Sequence, residues 1–527
     1  MLDRPAPKNL TPRGVVTIEG WALFPAEPTV RVEVDLGEHR LGRARLCVPR
    51  PDVRDATGEA RAAAAGFALI TNLADWPGPD GHAELRAVAF NASGGRFELP
   101  PVPIVVAPAP EGLSDLPARR RVGAPPAGSP GSGGRPLLVF THQLDLGGAQ
   151  LYLVDLLSEL VATGAARPTV VSAIDGITRL RLEELGIPVV ISGIVPVDEL
   201  EGHLRRVREI AAWATGRDFE AVLLNTATTL SFHGAEVAAM LEVPAVWAIH
   251  ESVDPAEMWA GIDRAVRHGA DACLGEAAAA VFESDGTRRL YERHVEPARC
   301  LTSVYGIDLR PIDAGRTGFD RRAARIAAGL APDAEVLLCV GTVEARKAQV
   351  PLSLAFEMVA GRHPDAHLVF VGGRADRDSL LLRDRIAESA YRRRMRLIPV
   401  DPDVQTWYGV SDIFVCASDV ESLPRTVLEA MAWERPVLAT RVFGLPELID
   451  DGRTGWLCEP RDIEALATGV DRALSAGPEE RAAVGRAARE LVERRCSLEE
   501  YGRRIASLLD EVADERPLPI TGRVAVD

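Results

Sequence analysis

Lysine is all but absent from this chain. Lys and Arg together number 60 in 527 residues, and only positions 8 and 347 are lysine. Codon bias toward Ala and Arg accounts for the scarcity, so a surviving lysine gains meaning only from its setting. Positive charge is also short: the net charge is −16, which disfavours nucleic acid as a partner unless basic residues gather on one face. The two basic runs, Arg119–Arg121 and Arg392–Arg394, read by context as solvated linker and helix end. The seven cysteines include no C-x-x-C pair, which argues against a disulfide framework or zinc knuckle and for a reducing compartment. No apolar run nears the roughly 18 residues of a membrane span, and the start lacks the apolar stretch of a secretory leader. A cytoplasmic protein is expected, with peripheral attachment at the inner membrane face left open.

What is present divides into three styles of sequence. Over 1–106, short runs such as 29-TVRVEVDLG-37 alternate apolar and charged residues, the period of a half-buried strand. Similar runs at 66–73, 83–90 and 96–106, separated by Gly, Pro, Asp and Asn, predict a small β-sandwich of about seven strands, with Trp21 in its core. Residues 107–135 are rich in Pro, Gly, Ala and Ser and read as a flexible linker. Strand–helix alternation follows. Strands are expected at 137–142, 168–174, 187–192, 220–225 and 244–250, then at 335–341, 366–372, 395–400, 412–418 and 436–440. This is the rhythm of two tandem Rossmann-like α/β domains, over 136–315 and 316–513, with a final helix at 496–512 and a tail over 514–527. Ligands are expected beyond the C-terminal ends of the strands.

The most informative segment is 421-ESLPRTVLEAMAWERPVLATRVFGLPELIDDGRTGW-456. Glu421 and Glu429 lie eight positions apart. Along one helix that is a rise of about 12 Å, too far for the roughly 5 Å carboxylate pair of a retaining glycosidase. The spacing suits two ends of an extended ligand. Between them a helix N-terminus at Arg425, Thr426 and Val427 presents N–H groups and partial positive charge to a diphosphate. The carboxylates would accept from a sugar at one end and a ribose at the other.

The order E-x7-E, EAMA, PVLAT, G-x-P-E and D-G-x-T-G resembles the signature of the retaining GT-B glycosyltransferases of family 4. The resemblance runs over residues 136–513 and implies a metal-independent transferase using a UDP- or GDP-linked sugar. It assigns the sugar to Glu421, the ribose to Glu429 and the donor diphosphate to Lys347, in the loop after Gly341. Thr342 stands where a second cation is usual, with Arg346 nearby to compensate. The turn with Gly147 and Gly148 matches the family's Gly-Gly loop, and His250, ending a strand, matches a histidine near the donor sugar. Tyr305 replaces a usual Asn, Leu423-Pro424 replace Phe-Gly, and Glu434 replaces Gly. The resemblance implies no cofactor beyond the donor, and a glycan, lipid-linked or other hydroxyl acceptor, with polysaccharide-assembly partners open. A degenerate homologue serving as glycan-binding or assembly scaffold, with the sandwich as its binding module, is the alternative. Asp401-Pro-Asp403, a superficial metal-binding D-x-D, reads as a loop turn. Gly372-Gly373 reads as either a nucleotide border or a tight turn. The lack of G-x-G-x-x-G disfavours a dinucleotide cofactor.

Overall fold

The computed structural model describes residues 1–4, 10–11, 15–25, 27–73, 81–106 and 134–514. Lys8, Arg119–Arg121, most of the expected linker and nearly all of the expected tail lie outside these described residues. Contacts gather the chain into two units that cut across sequence order. One comprises Met1–Leu116, Pro311–Val420 and Glu429–Glu490; the other comprises Pro117–Arg310, Glu421–Leu428 and Leu491–Asp527.

The first unit contains the sandwich. Along Thr29–Leu36, Val30, Val32, Val34 and Leu36 are fully buried and the residues between them are not. The strand pairs antiparallel with Gly81–Asn91, Val32 opposite Ala89 and Leu36 opposite Leu85, so one face of both strands fills the core. The described strands form sheets of four and six, more than the seven expected. The expected run over 96–106 splits into Arg96–Glu98 and Val102–Val106, because Pro100 and Pro101 have no N–H for a ladder. Trp21 is only half-buried, a correction to its expected core position. In Val15–Trp21 the core takes Val16, Ile18 and Gly20, and a period of two puts Trp21 on the other face.

The same unit carries a sheet of six parallel strands. In chain order they are Glu335–Val340, Ala366–Gly373, Met395–Pro399, Ile413–Cys416, Val437–Thr440 and Trp456–Cys458. Side by side they run third, second, first, fourth, fifth, sixth, the doubly wound order. Sandwich and sheet share one core: buried Val32, Leu46 and Phe67 belong to the same cluster as Leu352, Phe356, Val415 and Leu466. Polar ties reinforce it. Arg31 and Arg43 pair with Asp462 at 3.3 and 3.5 Å, and the Arg461 guanidinium donates to the Arg43 carbonyl at 2.9 Å. Arg394, in the run read as a helix end, donates to the carbonyls of Ala360, His363, Pro364 and Ala366 and so pins neighbouring segments together.

The second unit is built on seven parallel strands: Arg135–Gln143, Ala166–Ile174, Val189–Ile191, Ala221–Asn225, Ala245–Ile249, Ala279–Phe282 and Cys300–Thr302. Their order is third, second, first, then fourth to seventh. The last two were not foreseen, being short runs without alternation. The final helix, Leu498–Ala513, returns to helix Gly148–Ala162, where the buried Tyr501 and Tyr152 hydroxyls meet at 2.7 Å. Each satisfies the other's polar tip. The fold is thus α/β with two Rossmann-like sheets and a preceding antiparallel β module. Among the described residues, no helix is long and apolar enough to cross a membrane.

Candidate functional site

In the first unit, strand Glu335–Val340 ends at Gly341, and the loop closes in a short 3-10 turn, Ala345–Lys347, before helix Gln349–Val359. Gly341 has φ 145° and Gly372 φ 128°, values that favour glycine. A Cβ on Gly372 would lie 2.2 Å from the Gly341 carbonyl oxygen, so the first and second strands come this close only because Gly372 lacks a side chain. The Lys347 side chain folds back over this point, with Nζ 3.4 Å from where a Gly341 Cβ would be. Gln349 braces the loop internally: its Nε2 donates to the Thr342 carbonyl at 2.9 Å, and its Oε1 accepts from the Glu344 N–H at 3.3 Å. Arg346 pairs with Glu344 at 2.8 Å and laces the loop to the chain beyond strand Ile413–Cys416. Its carbonyl accepts from the Asp419 N–H at 2.7 Å, and its guanidinium donates to the Val420 carbonyl at 3.3 Å.

Glu421 is the next residue. Segment Glu421–Leu428 belongs by its contacts to the second unit. There the Ser422 hydroxyl meets that of Thr287 at 3.0 Å, the Tyr305 hydroxyl donates to the Leu423 carbonyl at 3.3 Å, and Arg425 pairs with Asp155. Tyr305 thus holds the segment that bears Glu421. Helix Arg425–Ala432 starts after Pro424, which suits a helix start. Thr426 is half-buried, the Val427 side chain is fully buried, and the Val427 N–H donates to the Pro424 carbonyl at 2.9 Å. The boundary between the units falls inside this helix, before Glu429. Glu429 is buried, and its Oε2 accepts from the Tyr408 hydroxyl at 2.8 Å.

The second unit assembles a polar network at the C-terminal ends of its strands. His250 follows strand Ala245–Ile249; its Nδ1 meets the Glu283 carboxylate and its Nε2 lies 2.9 Å from Asn225 Oδ1. Burial opposes charge on this ring, but the Glu283 charge and hydrogen bond outweigh it and raise the pKa. Both ring nitrogens thus face oxygen acceptors, the arrangement in which an imidazolium donates from both. Asn225, fully buried, donates onward to the Thr141 hydroxyl at 3.2 Å and the Ala149 carbonyl at 3.1 Å. Ala149 adjoins Gly147 and Gly148, so His250 is linked to that turn through one amide. Burial, then the His250 charge, depress the His142 pKa to about 4. The neutral ring accepts from Gln150 Nε2 at 3.0 Å and donates to the Thr226 hydroxyl at 3.3 Å. Thr226 has φ 93°, a strained value for a β-branched residue and of the kind that clusters at functional sites. Glu251, whose pKa burial raises, accepts from the Ala227 N–H at 2.9 Å. The sequence reading reached His250, Gly147 and Gly148 but missed His142, Asn225, Glu251 and Glu283. Each lies at a strand's end or within two residues of it, the position itself being the signal; Glu283 was hidden because its strand was not foreseen.

Other marked residues serve the scaffold. Asp401 accepts from the Asp403 N–H and from Trp407 Nε1, while Asp403 caps helix Val404–Val410; the D-x-D is a turn and a cap. Glu434 has φ 57° and pairs with Arg316; it takes a left-handed position that glycine fills at lower cost. Among the described residues, no group of three or more His, Cys, Asp or Glu is placed to hold a metal.

Residues 320–491 match the family described as "Glycosyl transferases group 1", a span that includes Gly341, Lys347, Glu421 and Glu429. The chain is 37% identical over 205 residues to D-inositol 3-phosphate glycosyltransferase 2 of Catenulispora acidiphila, covering 36% of this chain and 45% of that protein. It is 34% identical over 217 residues to D-inositol 3-phosphate glycosyltransferase of Mycobacterium avium, covering 40% and 49%. It thus spans about half the length of the curated relatives it matches. Among solved structures, HepE of Anabaena, in complex with UDP and glucose, superposes with a TM-score of 0.61 at 19% identity, covering 71% of this chain and 99% of that one. That likeness shows a shared fold, GT-B. Residues 320–491 are the part of this chain that the group 1 glycosyl transferase family describes.

Proposed function

We propose that this chain is a retaining, metal-independent glycosyltransferase that moves a sugar from a nucleotide-sugar donor to a hydroxyl acceptor. One observation carries the reading: within the span matching the group 1 family, Arg346 laces the Lys347 loop to the backbone directly before Glu421. In this reading Lys347 meets the donor diphosphate. Negative charge grows there as the bond from the sugar C1 to the phosphate oxygen breaks, and a fixed cation stabilises it. Glu421 binds sugar hydroxyls. Glu429, oriented by Tyr408, takes the ribose. The acceptor oxygen attacks C1 from the face that the diphosphate leaves, and the departing phosphate oxygen takes the acceptor proton. His250 acts through its positive charge and by holding the Gly147–Gly148 turn. The acceptor is a hydroxyl of a glycan, a lipid-linked glycan or, following the names of the relatives, an inositol phosphate.

The test is a thermal-shift screen of UDP, GDP and their sugar conjugates, followed by turnover with the conjugate that stabilises the chain most. A bound donor raises Tm by mass action. Slow donor hydrolysis by wild type, lost in Glu421→Ala, is the expected result. Binding without turnover points to the scaffold reading, and no nucleotide binding at all removes the transferase reading.

A further inference from the structure

Helix Gly148–Ala162 opens at the Gly147–Gly148 turn, and Tyr152 stands one turn in. Its side chain is buried, and three aromatic rings meet it. The His250 imidazole lies 4.4 Å from it between centroids, at 67°. Tyr305 lies at 5.7 Å and 87°, and Tyr501 at 5.8 Å and 68°. Edge-to-face contacts of this kind are directional, so a ring with three such neighbours has a defined seat. The hydroxyl is held too, since it meets that of Tyr501 at 2.7 Å. Tyr501 belongs to the final helix, which comes in close: a Cβ on Gly502 would lie 2.4 Å from Glu159 Cγ. The start of that helix is tied down where the Ile307 N–H donates to the Cys496 carbonyl at 3.1 Å. All these residues belong to the second unit.

Two of the neighbours lead to the candidate site. His250 bonds Glu283 and Asn225 at the strand ends. The Tyr305 hydroxyl donates to the Leu423 carbonyl at 3.3 Å, two residues past Glu421. Tyr152 therefore touches His250 on one side and the residue that holds the Glu421 segment on another. We propose that Tyr152 is a positioning residue for sugar transfer: its ring, seated by Tyr501 of the final helix, sets His250 in place relative to the segment that carries Glu421. The proposal rests on the reading of His250 and Glu421 as sugar-side residues. Tyr152 acts through His250 and Tyr305, not on the sugar itself. An aliphatic side chain would fill the same core space but would offer neither ring face nor ring edge to an imidazole. Geometry matters here because a misplacement of about 1 Å can cost roughly 100-fold in rate.

The test follows hydrolysis of UDP-glucose, UDP-N-acetylglucosamine and GDP-mannose by the full chain, read as release of UDP or GDP. Wild type is compared with Tyr152→Met, Tyr152→Phe, Glu421→Ala and Leu160→Ala. Leu160 is buried on the same helix, two turns or about 12 Å further on, and serves as the control for lost packing. On the conjugate that wild type cleaves, Tyr152→Met should lower kcat about tenfold while KM stays within about twofold, because the donor-binding side chains are untouched. Tyr152→Phe, which keeps the ring, should recover most of the loss. Leu160→Ala should lower Tm without this loss of kcat. In histidine-labelled chain, the His250 ring-proton signals are identified by their disappearance in His250→Gln. They should hold their positions in Tyr152→Phe and move in Tyr152→Met, as the neighbouring ring is kept or removed. Should Tyr152→Met fail to fold, Tyr501→Leu decides, with a severalfold loss of kcat expected and an unchanged kcat counting against the seat. If Glu421→Ala abolishes hydrolysis while Tyr152→Met keeps kcat within twofold of wild type, Tyr152 only packs the core and the transferase reading stands. The same holds if Leu160→Ala loses as much kcat as Tyr152→Met. If wild type cleaves none of the three conjugates, the sugar-side reading falls and the positioning role with it.

Discussion

A single residue, Lys347, concentrates the donor reading. Removing a charged partner of a diphosphate forfeits about 1.5–3 kcal/mol, so Lys347→Ala should weaken nucleotide binding by roughly 10- to 100-fold. Near-normal affinity by calorimetry would mean that the loop has another purpose. His250 makes a different prediction. Its pKa in the fold is raised above the ordinary 6.5. The His250–Glu283 pair therefore contributes its full stability below about pH 6.5 and loses it as pH rises through the folded value. The Tm difference between wild type and Glu283→Gln should shrink from pH 6 to pH 9; a constant difference would show that the ring is not charged. At this scale the sequence was legible in local placement, as with the strand that ends at Gly341 and the loop to Lys347 that follows it. It was opaque where role depends on partners. Nothing in the sequence around Arg425 announces Asp155, and nothing around His250 says that both ring nitrogens are occupied.

At the scale of elements, helix Ile463–Ser475 shows how one side chain joins secondary to tertiary structure. Asp462 caps it, accepting from the Ala465 N–H at 3.0 Å, and the same carboxylate pairs with Arg31 and Arg43 of the sandwich. A lost cap costs about 1 kcal/mol, and the partly buried ion pairs add to it. Asp462→Ala should lower stability by about 2 kcal/mol in urea denaturation, and by less in an Arg31→Ala background because the two changes share a contact. Equal losses in both backgrounds would mean that only the cap matters. Ten Rossmann strands were legible from their apolar runs. Ala279–Phe282, Cys300–Thr302 and Trp456–Cys458 were not, because three or four residues carry too little pattern to distinguish a strand from a loop.

For the whole molecule, the shared core of sandwich and second sheet makes a strong demand. A chain lacking residues 1–133 would expose apolar residues beside Leu352, Phe356 and Leu466 that the sandwich now covers. Such a truncation should aggregate or lose cooperative unfolding of the six-stranded parallel sheet, checked by gel filtration and thermal melting. A soluble, cooperatively melting product would show instead that the sandwich is dispensable to the fold.

The sequence by itself determined the classes of element and their order, because hydrophobic period and glycine-ended strands are local properties. Only the tertiary structure decided which distant pieces stand together: the sandwich against the Lys347 turn, Glu283 against His250, Tyr305 against the Leu423 carbonyl. Those pairings join residues tens to hundreds of positions apart. They depend on how buried faces and charges satisfy one another once the sheets have formed, and no local pattern records that.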